Sequence, residues 1–96
     1  MSVYIIAQIN IHDRAGYDTY SAGFLEVFAR YSGELLVVSE APLVVEGEWP
    51  YTRTVLIKFP SAEAARDWYE SPDYQALAQH RLRASQGNVV IVEGLQ

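Results

Sequence analysis

The sequence predicts an α+β sandwich: one sheet of four antiparallel strands with helices on one face of it. Three observations lead there. Stretches with strand and helix period follow one another as β-α-β and then β-α-α-β within 96 residues. The first strand is apolar on one face and half-apolar on the other, so both of its faces need cover. Ser61 and the pair Ser71-Pro72 supply helix starts and a helix break close together, which packs two short helices into the second half. At this length the chain, residues 1–96, holds a single domain with no linker and no low-complexity segment.

Each element has its own signature. In the first strand, Val3 to Ile11, the odd residues point one way and Tyr4, Ile6, Gln8 and Asn10 the other. Asp13 caps a helix running to about Tyr31. Its stripe is almost wholly aromatic: Tyr17, Tyr20, Phe24, Phe28 and Tyr31, with Val27 beside them. Gly33 suits a left-handed C-terminal cap. The second strand extends from Glu34 to Glu46 and is interrupted at Ala41-Pro42. Gly47 to Pro50 connects to a third strand, Tyr51 to Phe59, where Arg53 shares a face with Val55, Ile57 and Phe59.

Ser61 caps the second helix, whose inward face is Ala62, Ala65, Trp68 and Tyr69. Ser71-Pro72 ends it and starts a third helix reaching to roughly Ser85, with Tyr74, Leu77, Ala78 and Arg81 inward and Leu82 alongside. Gly87-Asn88 turns the chain into the last strand, Val89 to Glu93. This order most simply gives a ferredoxin-like βαββααβ sandwich. Its open sheet face would present Ile6, Leu36 or Val37, Leu56 and Val90. Such a face predicts a homodimer formed through it.

Composition excludes several function classes. There is no cysteine, hence no disulfide framework and no thiolate site. The net charge of -5 and scattered arginines disfavour nucleic acid and anionic membrane as partners. The N-terminal stretch reads as a strand rather than a signal peptide, and no apolar run approaches a membrane span. A cytoplasmic location is the expectation. No nucleotide-binding glycine motif, no cofactor and no metal site are predicted.

The string Phe59-Pro60-Ser61, Ala65, Trp68-Tyr69, Ser71-Pro72 and Tyr74-Gln75 resembles the family known as domain of unknown function number 1330. Tyr17, Tyr20, Tyr31, Gly33, Glu46-Gly47-Glu48-Trp49, Arg53, Arg81 and Val92-Glu93-Gly94 agree with it, so the resemblance covers nearly the whole chain. It implies a dimeric α+β barrel, in which two ferredoxin-like sheets pair face to face with the helices outside. Superfamily relatives include cofactor-free monooxygenases, lactone isomerases and haem proteins, and their ligands generally lie between helices and sheet. Fold alone does not carry that chemistry over.

The residues suited to chemistry are few. Tyr20, Phe24, Trp68 and Tyr69 are core fillers that could also wall a pocket for a flat ligand. Arg53 and Arg81 lie on apolar faces. Each is either a structural ion pair, with Glu46, Glu93 or C-terminal backbone groups as partners, or the holder of a ligand carboxylate or enolate. His12, Tyr20 and Tyr69 are the candidates for proton transfer. His80 is the one helical histidine that a haem could use. Glu46 and Glu48 flank Gly47 as a solvated hairpin tip. Ser61 and Ser71 serve as helix caps rather than nucleophiles.

Three functions fit these residues. The first is a binder of a small, partly apolar molecule, an anion included, between helices and sheet, with cofactor-free proton-transfer or oxygenase-type chemistry. The second is a non-catalytic dimeric interaction domain using Trp49 and Val44-Val45. The third, least supported, is a haem protein. Whether the chain is an enzyme is left open by its sequence.

Overall fold

The computed structural model describes all 96 residues. Strand β1 (Val3–Ile11) is followed by helix α1 (Arg14–Phe28) and strand β2 (Glu34–Ser39). Strand β3 (Arg53–Phe59), helices α2 (Ala62–Tyr69) and α3 (Pro72–Ala84), and strand β4 (Ser85–Glu93) complete the chain. The sheet order is β2-β3-β1-β4 and every neighbouring pair is antiparallel. This is the ferredoxin-like arrangement that the element order predicts.

Register separates the two faces. Ile5 stands opposite Ile57 and Ile91 on the helix side. Ile6 stands opposite Leu56 and Val90 on the bare side. Val3, Ile5 and Ile9 are buried under the helices, as are Ile57 and Phe59. Trp68 sits centrally among aromatic rings, stacked on Phe59 at 5.6 Å and edge-on to Phe28 at 5.6 Å. Its centroid is 4.2 Å from that of Tyr74. On the other face Val37, Val90 and Val92 remain 40–47% exposed.

The helix caps follow the expected chemistry. Asp13, Ser61 and Ser71 accept from the N–H groups of Gly16, Ala64 and Tyr74 respectively. The Ser71 hydroxyl also donates to the Trp68 carbonyl at 2.7 Å, so one side chain ends α2 and begins α3.

Several expectations are corrected. The second strand stops at Ser39, because Pro42 has no N–H for the ladder and the chain leaves the sheet edge. Leu43 and Val45, expected in that strand, are 89% and 92% exposed. The third strand begins at Arg53 rather than Tyr51. Helix α1 ends at Phe28 with Ala29 as its cap. Gly33 is not left-handed, since Gly47 alone has positive φ. Gly33 is needed instead for space: a Cβ there would lie 2.5 Å from the Phe28 ring and 2.6 Å from the Phe59 ring. Gly87 lies within β4, opposite Ile9, where a Cβ would strike the Gln8 carbonyl. Ala62 is exposed, not inward, and Leu82, expected alongside the inward stripe of α3, is exposed as well.

Asp73 ties α3 to the end of α1. Its carboxylate accepts from the Tyr31 hydroxyl at 2.8 Å and from Arg30 at 2.9 Å. The Ser71 hydroxyl beside it, Tyr31 and Arg30 hold this carboxyl well below the usual carboxylate range. The Ser71 proton is already given to Trp68, so Tyr31 and Arg30 carry most of that effect. A depressed native pKa stabilises the fold above the ordinary value of 3.8 and loses that stabilisation as pH falls below it. Urea unfolding between about pH 5 and 2 should therefore show stability falling with acid, and Asp73→Asn should flatten part of the slope.

Candidate functional site

A cleft of about 220 Å³ lies between the helices and the sheet, and 15 of its 18 lining residues are hydrophobic. Its floor is the helix-side face of β1 and β3. Its walls are aromatic, from α1, α2 and α3. The spacing Tyr17, Tyr20, Phe24 on α1 puts all three rings on the cleft side, and α2 adds Trp68 and Tyr69. The two short helices owe their angle to the Ser71-Pro72 break, which brings Tyr74 and Arg81 to the same space.

All six residues read from the sequence as ligand candidates line this cleft: Tyr20, Phe24, Arg53, Trp68, Tyr69 and Arg81. His12 does not. It is exposed at the end of β1 and outside the lining set. His80 is likewise exposed on α3 and outside the cleft, so the chain offers no axial histidine there and the residues do not fit a haem. No three acidic or histidine side chains are gathered to hold a metal ion.

The polar groups of the cleft are organised around Tyr20. Its hydroxyl and that of Tyr74 share a hydrogen bond of 2.8 Å. Burial, and then the neighbouring Tyr74 hydroxyl, push the Tyr20 phenol well above its ordinary value. At neutral pH Tyr20 is therefore a neutral donor and cannot act as a phenolate base. The Arg81 guanidinium lies over the Tyr20 ring, 5.9 Å from its centroid. Arg53 lies over the neighbouring Tyr17 ring at 5.4 Å. Burial also raises the Tyr17 phenol, with Arg53 opposing.

The two arginines differ in their partners. Arg53 donates to Glu40 at 2.8 Å, and Glu40 also accepts two bonds from Arg14. The expected partners Glu46 and Glu93 are not used. Glu93 stands opposite Val3 while Arg53 stands opposite Ile9, so six residues of strand, roughly 20 Å, separate them. Arg81, only 7% exposed, takes part in none of the four ion pairs. Three buried donors lack any acceptor: Nη2 of Arg81, Nε1 of Trp68 and Nε of Arg53. All three belong to residues lining the cleft.

Sequence reasoning left Tyr74 open to function without giving it a role, and it did not mark Glu40, which bonds the cleft residue Arg53 from outside the lining set. Tyr74 was legible in part, since it shares a stripe with Arg81. Glu40 follows the last strand residue in a stretch without periodicity, so nothing in the pattern marks it.

The raised phenols have a measurable consequence. A group whose native pKa exceeds its unfolded value stabilises the fold below that value, here 10.0, and ceases to as pH rises through the native one. Stability measured by urea should fall above about pH 10, and Tyr20→Phe should lessen the fall while costing ~1 kcal/mol at neutral pH from the lost bond to Tyr74.

Known structures share this architecture. A protein of unknown function, RPA0582 from Rhodopseudomonas palustris, superposes with a TM-score of 0.79 at 16% identity, covering 99% of this chain and 83% of that one. SnoaB, a cofactor-independent oxygenase from Streptomyces nogalater, gives 0.70 at 16% identity, covering 99% and 94%. A dimeric protein of unknown function and ferredoxin-like fold from Bacteroides fragilis gives 0.67 at 12% identity, covering 97% and 96%. At these identities the likeness concerns the fold. No curated protein matches the sequence significantly. The family match is specific: over residues 2–95 the chain belongs to the family described as Domain of unknown function (DUF1330).

Proposed function

We propose that this protein binds a small, partly apolar anion in the cleft between its helices and sheet. The observation that carries this reading is Arg81, a buried cation with an unpaired Nη2 in an otherwise apolar space. Burying a charge without a counter-charge costs several kcal/mol. The ring of Tyr20 offsets part of that cost by a cation–π contact. A ligand carboxylate or enolate would offset the rest, and Trp68 Nε1 would donate to a second acceptor.

The volume limits the ligand. A dry cavity of ~150 Å³ takes one benzene ring. A cleft of about 220 Å³ thus suits one ring with a substituent. Trp68, Tyr69 and Phe24 would hold the ring's faces and edge. If a reaction follows, it is cofactor-free: Arg81 stabilises an enolate or phenolate, and the neutral Tyr20–Tyr74 pair supplies a proton. A substrate that enters as its enolate or phenolate, its proton already left in solvent, would also admit oxygenase chemistry without a cofactor, since such an anion can itself reduce oxygen. Tyr69, a further phenol on the cleft wall, is the proton-transfer candidate beside Tyr20.

A thermal-shift screen of small aromatic and enolisable acids tests this reading. Hits should lose at least about tenfold in affinity in Arg81→Met. The same variant should fold as stably as the parent or more so, because it removes a buried unpaired charge while keeping volume. Retained binding by Arg81→Met counts against the proposal.

The homodimer belongs to the same proposal. Two copies joined through the bare sheet face would cover Leu36, Val37, Val90 and Val92, each at least 40% exposed. Light scattering should find twice the chain mass, and Val90→Lys, on edge strand β4 beside Ile6 on that face, should shift it toward the monomer. The non-catalytic reading keeps one observation in its favour: Leu43 and Val45 project almost fully into water. If those two residues become protected from hydrogen exchange only in the dimer, that surface is spent on self-association and the alternative loses its basis.

A further inference from the structure

We propose that Glu40 sets the charge of the ligand, making the cleft selective for a singly charged aromatic carboxylate docked on Arg81. This rests on the reading of the cleft as an anion site. Two guanidinium groups reach the cleft, over adjacent rings: Arg53 over Tyr17 and Arg81 over Tyr20, rings whose centroids are 5.4 Å apart. Two cations so placed would by themselves favour a dianion. Only one lacks a counter-charge, however. Glu40 Oε2 takes the Arg53 Nη1 proton at 2.8 Å, while Arg14 holds both Glu40 oxygens at 2.9 and 3.1 Å.

Arg14 thereby fixes the carboxylate over Arg53. Arg14 itself is half-exposed, and its charge is screened by solvent. Arg53, with a side chain 21% exposed, is the less hydrated partner and is the one neutralised at the cleft. A second ligand carboxylate at Arg53 would meet Glu40 and be repelled. The cleft thus holds one cation without a counter-charge, Arg81, and a second, Arg53, held by a carboxylate that lies just outside the lining residues. The aromatic walls and the limited volume leave room for a single ring.

Calorimetric titration of the intact protein at pH 7.5 with benzoate, phthalate and neutral benzamide tests this. The native chain should bind benzoate about tenfold or more tighter than either alternative. Glu40→Gln should narrow or reverse the benzoate-to-phthalate ratio by about tenfold, because Arg53 becomes free to take the second carboxylate. Glu40→Asp, which keeps the charge, should retain the native ratio. That pair of variants separates charge selection from a merely structural role. Equal binding of phthalate and benzoate by the native chain, or an unchanged ratio in Glu40→Gln, overturns the role of Glu40 and leaves the anion site standing. Binding of none of the three probes by the native chain overturns the anion site and this proposal with it.

Discussion

The helix side of the molecule depends on the packing of Trp68. Its indole is 3% exposed and lies against rings from α1, β3 and α3 at once. Such aromatic pairs contribute about 0.5–1.5 kcal/mol each beyond their buried area. The indole can occupy that position because α2 is short, begins at the Ser61 cap and stops at Ser71-Pro72. Ala65, fully buried on the same helix face, lets the helix approach the sheet closely. Were α2 continuous with α3, Tyr74 and Arg81 would be carried away from Trp68, and the cleft would lose one wall. The break in the helix is thus what makes the space beside Trp68 a cleft rather than a filled core.

This one-sided arrangement has a cost on the other side of the sheet. The protomer exposes 6093 Å², against the ~5,500 Å² of a compact monomer of its mass. Many of the exposed large aliphatic residues lie on β2, β4 and the stretch after β2. Helices sufficient to bury both faces would need a longer chain. Pairing of two bare faces, as proposed above, would be the economical alternative, while the β2 edge is weakened as a template for aggregation by its irregularity between Leu35 and Val37.

Much of this was legible in the sequence because it follows from period and caps. The alternation of β1 and β3, the aromatic stripe of α1, and the serines at 61 and 71 each specify local structure by themselves. The helix stripes delivered five of the six cleft residues, since a residue on the inward face of any helix here must meet the sheet or the space beside it, and the alternation of β3 delivered the sixth, Arg53. What was not legible depends on contacts distant in sequence. Gly33 looks like a helix cap until Phe28 and Phe59 are seen to crowd it. Gly87 looks like a turn until the Gln8 carbonyl is seen opposite. Leu43-Val44-Val45 has strand composition, but Pro42 and the lack of a neighbour decide otherwise. Glu40 is invisible for the same reason: its meaning is given by Arg14 and Arg53, 26 and 13 residues away.

Electrostatics constrains how such a cleft could select an anion. A chain of net charge -5 repels anions at long range. At physiological ionic strength that repulsion fades within a Debye length of ~8 Å, so it slows encounter only modestly. Inside the cleft the apolar walls lower the dielectric, and a single guanidinium acts strongly at contact. Affinity would therefore be decided by how long the ligand stays rather than how fast it arrives. Residence in turn depends on groups that a wrong ligand leaves unpaired: the Arg81 guanidinium and the Trp68 N–H. A neutral ring of the right shape would fill the volume yet leave both donors buried and unmet, so in the proposed site the groups that are costly in the unliganded protein are the same ones that would discriminate.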